Sequence, residues 1–431
     1  MRHHQKLVFG TAIGALIATG NAFATNGYFS HAYSVKDKGL AGAGVALPQD
    51  SLAAAANPAG MVEVGNRIDA GVALFSPHRS YTVEGTPSGA PGSFGLTPEK
   101  VDSDSEYFLI PHFGWNRMLD ADRALGVSVY ANGGMNTDWP DSAGGGAGTF
   151  FGGFFGGEAG AGVDLAQLFI NLSYAQRIND ATAWGVSPIL AYQRFEATGL
   201  AAFGAQGFSS DADKLTDNGH DTSFGYGARI GIMSEVQTGL TLGASYQTEM
   251  RMDEFDQYRG LFAEQGGFNI PATLALGLAW ETSPATTLLL DAQRIWYSDI
   301  KSVGAPMLPN LQTAQLGDDG GAGFGWEDVT VIKLGYQWAR DENWTWRVGY
   351  SRCDQPIPDS EVLFNILAPG VMEQHITAGF TQRLGEAGEW SFAAMYAPEK
   401  EVSGANPLDP GQTITLRMDE WELAASYAWK F

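Results

Sequence analysis

Five basic side chains, Arg177, Arg251, Lys333, Arg347 and Arg383, fall on the polar parity of alternating segments in this 431-residue chain. A cation beside an apolar pocket is what a carboxylate-bearing ligand needs, because an unpaired buried charge is expensive. Arg251, Lys333 and Arg347 are the candidates for that role. Acids of the same parity, such as Glu249, would neutralise most of these cations, and an uncharged ligand would need none. A second feature is greasy: Phe150, Phe151, Phe154 and Phe155 stand on a glycine-rich backbone between Gly144 and Gly157. Phenylalanines so placed are costly to leave in water, so they either capture an apolar ligand or pack as structure.

Familiar covalent chemistry is not encoded. No G-x-S-x-G, H-E-x-x-H, G-x-x-x-x-G-K or C-x-x-C sequence occurs, so the common hydrolase, zinc-protease, nucleotide and thiol-redox signatures fail. An enzyme is therefore not expected, and neither is a cofactor. The acidic stretch from Asp211 to Asp221 and the pair Asp318-Asp319 lack EF-hand spacing, and the histidines are scattered, so no metal site is expected. A net charge of −23 repels phosphate backbones and argues against nucleic acid as a partner. The acids suit solvated loops or divalent-cation bridges to lipopolysaccharide.

The elements that would position these groups read as strands. From Leu240 to Arg251, Leu240, Leu242, Ala244, Tyr246 and Met250 share one parity and polar residues the other, with Thr248 the exception. Period-two alternation collects apolar groups on one face of a strand and scatters them around a helix. The pattern predicts strands at 66–81, 106–117, 122–132, 163–177, 182–197, 223–236, 239–252, 269–281, 285–297, 327–340, 344–354, 373–384, 389–399 and 417–431. Fourteen is an even number, and short turns alternate with long loops, as in single-chain bacterial outer-membrane barrels. The fold expected is all-β: a 14-stranded antiparallel transmembrane barrel with both termini in the periplasm. Composition agrees, with 56 glycines, 12% aromatic residues and only 17% charged ones. The ends carry export signals. Arg2 and Lys6 precede an apolar run that closes on Ala22-Phe23-Ala24, so residues 1–24 read as a signal peptide. The last strand alternates down to Phe431, an ending similar to the one that barrel assembly machinery recognises.

Residues 25–65 do not alternate. Asp50 or Ser51 is a good cap for the alanine run Leu52–Ala56, and Pro58 ends it by disfavouring helical geometry at Asn57. Small residues ahead of a barrel have the lumen to occupy, which makes them a plug of the barrel at 66–431. A cleavable signal, a glycine-alanine segment and Asn57-Pro58-Ala59 before the first of fourteen strands together resemble the FadL-type family of outer-membrane transporters for long-chain fatty acids and aromatic hydrocarbons.

That resemblance covers essentially the whole chain and implies a mechanism. The plug would be a hatch carrying Asn57, Pro58 and Ala59, and outer loops would capture a hydrophobic substrate at Phe150, Phe151, Phe154 and Phe155. The substrate would enter a lumen pocket and leave sideways at a kink in the third strand. Asn132, Gly133 and Gly134 are the candidates for that kink, since paired glycines weaken a strand ladder, or else they simply begin the next loop. Passive uptake of long-chain fatty acids is the leading expectation, aromatic or alkane hydrocarbons the alternative, and a general hydrophilic porin the alternative of another class. Outer-membrane lipid and lipopolysaccharide are expected partners, and the protein is expected to be a monomer in a Gram-negative outer membrane.

Overall fold

Alternation decides which way every strand faces. The computed structural model describes residues 26–90, 92–140 and 160–431, and in it fourteen long strands follow the parity of their side chains. They are β1 Arg67–Glu84, β2 Phe108–Met118, β3 Arg123–Trp139, β4 Ala161–Asn179, β5 Thr182–Thr198, β6 Asp221–Gln237 and β7 Leu240–Gln247. The second half comprises β8 Thr273–Ser283, β9 Thr286–Ile295, β10 Val329–Ala339, β11 Trp344–Cys353, β12 Gln374–Leu384, β13 Gly388–Ala405 and β14 Thr413–Lys430. Along β10, buried and exposed residues alternate from Val329 to Tyr336. Lys333 points inward, while Ile332 and Leu334 face out.

Each strand pairs antiparallel with its sequence neighbours. β14 returns to β1 in an unbroken register from Arg67↔Lys430 to Glu84↔Thr413, so the sheet closes. Closure is what hydrocarbon demands, because an unpaired backbone group there costs several kcal/mol. Two short strands, Lys100–Asp102 and Arg251–Met252, pair on the outer parts of β1 and β6 and are not staves.

The second of these corrects one expectation. The strand predicted at 239–252 breaks after Gln247. Register runs through Arg229↔Gln247 and resumes at Tyr226↔Arg251, so the later strand has gained one residue and its parity inverts. Thr248, the residue that broke the alternation, sits at this slip. Its N–H donates to the Ala228 carbonyl at 2.9 Å and its hydroxyl accepts from the Ala228 N–H at 3.1 Å. Met250 is therefore buried, and Arg251 is exposed on the outer wall instead of lining the lumen.

Residues 26–66 fill the barrel. Ser34 caps α1 (Val35–Lys38) by accepting from the Asp37 N–H at 3.1 Å. Asp50 caps the turn ahead of α2 (Ala53–Ala56) by accepting from the Leu52 N–H at 3.0 Å. Asn57 then extends at φ −150°, and a 3-10 turn follows over Pro58–Val62. Many wall glycines are seats for this segment. A Cβ on Gly185 would collide with the Pro58 backbone, one on Gly231 with the Asn57 side chain, and one on Gly349 with the Leu40 backbone. Glycine on the inner face lets two backbones approach where any side chain would hold them apart.

Candidate functional site

Lys333 and Arg347, the two sequence-predicted candidates that face the lumen, are committed to the hatch. Lys333 donates from Nζ to the carbonyls of His31 and Gly42 at 3.3 and 3.4 Å. Arg347 donates to Gln49 Oε1 at 2.7 Å and to the Thr381 hydroxyl at 2.8 Å. Arg229 donates to the carbonyl of Ala55, and Arg177 pairs with Glu63 at 2.6 Å. In the other direction, Lys36 reaches Glu389, and Lys38 reaches Glu422 at 2.6 Å. Removing one partner of such a buried pair strands the other, at a cost of about 3–5 kcal/mol. Burial and the nearby Lys38 ammonium push the His31 imidazole well below its ordinary pKa, so it is neutral near pH 7.

Asn57, Pro58 and Ala59 sit at the centre of this docking. Asn57 Nδ2 donates to the carbonyls of Val45 and Ile232 at 2.9 and 3.0 Å, and Oδ1 accepts from the Ala59 N–H at 3.1 Å. One side chain thus joins two turns of the hatch to β6. Replacing it by alanine leaves buried polar groups unpaired, at about 1–3 kcal/mol each. Asn57→Ala is expected to raise hydrogen exchange across 45–60 by one to two orders of magnitude, roughly 1.4 kcal/mol per factor of ten, while the heat stability of the barrel barely changes. Unaltered exchange in that segment would refute the anchoring role.

At the outer mouth, loop residues line a small apolar cavity of about 40 Å³. Phe195 of β5, Phe203, Phe262, Phe324, Phe364 and Leu367 are among its lining. Tilted ring contacts lead from there into the barrel: Phe195 to Phe262 at 4.6 Å, Phe262 to Phe268 at 4.8 Å, Phe268 to Tyr28 at 6.1 Å and Tyr28 to Trp326 at 5.8 Å between centroids. Among the described residues no lysine or arginine lines the cavity, and the one hydroxyl there, Ser302, donates to the Gly267 carbonyl. Deeper in the lumen, a small polar chamber of about 40 Å³ lies between hatch and wall, lined by His31, Asp37, Arg229 and Lys333 among others.

The cavity was not visible in sequence, because its walls come from loops 198–222, 253–268, 298–326 and 355–372, which carry no periodicity. Their dense aromatic residues were the available signal. Phe150, Phe151, Phe154 and Phe155 lie outside the described residues.

Strand pairing in the wall is interrupted beside the ring chain. Pairing of β2 with β3 stops at Phe113↔Val129, although β2 continues along β1 to Phe75↔Phe108. β3 runs on to Trp139↔Ala161 against β4, with a register slip between Ala131 and Gly133. Asn132 is the extra residue of that bulge, so the paired glycines lie inside the strand and do not begin the loop. The hatch takes the edge that β2 vacates: Ser30 N–H donates to the Asn132 carbonyl, and Gly134 N–H to the Tyr28 carbonyl, both at 3.0 Å. Phe29 bridges Gly133, where a Cβ would collide with the Tyr28 carbonyl. The Asn132 side chain turns into the lumen, donating to Gln167 at 3.1 Å and accepting from the Tyr33 hydroxyl at 3.1 Å.

A closed transmembrane barrel, stoppered by its own N-terminal segment and holding a greasy cavity at its mouth, is an outer-membrane channel for hydrophobic molecules. The sequence pattern of the outer membrane protein transport protein family (OMPP1/FadL/TodX) matches residues 14–407, and the chain belongs to that family. A long-chain fatty acid transport protein of Escherichia coli O6:H1 is 24% identical over 337 residues, 69% of each chain. Among solved structures, the Pseudomonas putida toluene transporter TodX superposes with a TM-score of 0.67 at 15% identity, covering 93% of this chain and 99% of that one. A Pseudomonas aeruginosa FadL homologue superposes equally well, with a TM-score of 0.67 at 15% identity over 94% of this chain and 100% of the other.

Proposed function

We propose that this channel carries uncharged hydrophobic molecules, such as hydrocarbons, from the outer loops through the apolar cavity to the gap beside β3. The observation that carries this reading is the cavity's lining, which among the described residues offers neither a cation nor a free hydrogen-bond donor. A carboxylate entering it would lose its water and gain no partner, a cost of several kcal/mol. The lumen cations are no substitute, since Lys333 and Arg347 already hold the hatch. The polar chamber below is a poor path for a greasy molecule, which favours lateral exit into the membrane over passage down the axis. Exit then requires Tyr28–Ser30 to leave β3, a small movement of the hatch.

Binding of a long-chain fatty acid and of a matched uncharged alkane to the purified protein at pH 5 and pH 8 tests the reading. The alkane should bind equally at both values, and the acid at least about tenfold more weakly at pH 8, roughly 1.4 kcal/mol. Tighter binding of the ionised acid would favour fatty acids, the activity named for the Escherichia coli relative, and would overturn the proposal.

A further inference from the structure

The lipid-facing wall has a groove of its own. Between β10 and β11 a groove of about 420 Å³ opens on the outside of the barrel, bordered by Thr330, Ile332, Leu334, Tyr350 and Arg352. Its floor is apolar, with Ile332, Leu334 and Tyr350 all facing out. Its outer end is cationic. Arg352 stands opposite Ile332 in register and makes no hydrogen bond or ion pair among the described residues. Arg294 of β9 stands opposite Thr330, whose hydroxyl accepts from it at 2.8 Å, and Asp328 accepts from the same guanidinium at 3.0 Å. The two arginines lie two strands apart, roughly 10 Å across the sheet, on the same outward face.

Depth gives the cations their meaning. The indoles of Trp338, Trp344 and Trp346 stack on one another at the periplasmic end of β10 and β11 and mark the inner interface. From Trp344 to Arg352 the strand climbs about 27 Å along its length, or about 20 Å of depth at a tilt of roughly 40°. That distance nearly spans the apolar band, so Arg352 stands at the headgroup plane of the outer leaflet. An arginine on the lipid face costs about 2–4 kcal/mol at mid-membrane and nearly nothing at the interface, where a phosphate oxygen can accept from it.

We propose that this groove binds the phosphorylated, multiply acylated glycolipid of the outer leaflet, lipid A. One acyl chain would lie against Ile332, Leu334 and Tyr350, with a phosphate on Arg352 and Arg294 as its flank. Asp328 orients Arg294, and Asp354 also lines the groove. This surface lies outside the barrel and does not depend on which substrate passes through.

The test places the intact protein in phosphatidylcholine nanodiscs doped with lipid A, with dephosphorylated lipid A, or with phosphatidylglycerol, and counts retained lipid by native mass spectrometry. Lipid A should be retained about tenfold more strongly than either comparator. Arg352→Ala should abolish that preference, and Arg352→Lys should restore part of it. Both changes are on an exposed side chain, and heat-modifiable gel mobility will report that the barrel is folded. Equal retention by wild type and Arg352→Ala overturns the proposal, as does equal retention of the dephosphorylated lipid or of phosphatidylglycerol.

Discussion

Deleting Asn132 should stop transport while leaving a folded barrel. The residue is the whole excess of β3 over β4, so its removal brings Ala131 and Gly133 into continuous register and straightens the strand. β3 then resumes pairing with β2 beyond Val129, and the edge now used by Tyr28–Ser30 is occupied by the wall itself. Each new ladder bond contributes about 0.5–1.5 kcal/mol, so the variant should melt no lower than wild type. Uptake of a labelled hydrocarbon by cells carrying it should fall to the level of cells without the protein. Undiminished uptake would mean that the gap is not the exit.

Removing the hatch should have the opposite effect on permeability. A chain lacking residues 26–60 still closes β1 on β14 and should fold, because every strand keeps its neighbours. The ion pairs Lys36–Glu389 and Lys38–Glu422 are lost, yet the stranded acids meet water filling the lumen, so the penalty of an unpaired buried charge does not arise. In planar bilayers the variant should pass a steady ohmic current where the intact protein passes none. A silent variant, or one that fails to fold, would show that the hatch is a structural core and not a stopper.

Most of the wall was legible because parity is a strong signal. Lys333 and Arg347 point into the lumen as the alternation of β10 and β11 requires. Where the signal failed, a local event had broken the period. Thr248 breaks the parity of its segment, and the slip there carries Arg251 to the outside. The third strand was expected to end at 132, and it runs to Trp139 because a bulge absorbs the glycines that looked like its terminus. What the inward residues face was not legible. The type of Gly185, Gly231 and Gly349 is explained only by the hatch pressed against them, backbone at Gly185 and Gly349 and the Asn57 side chain at Gly231. The cavity was hidden for a different reason: Phe195, Phe262 and Phe364 are far apart in the chain and join only when the loops fold over the mouth.

The most direct measurement of the central claim follows uptake of a labelled uncharged hydrocarbon and ionic current together, in the same reconstituted membranes, for the intact protein. Saturable hydrocarbon flux without steady current is the predicted result. A large steady current with no protein-dependent hydrocarbon flux would contradict it and identify an open hydrophilic pore.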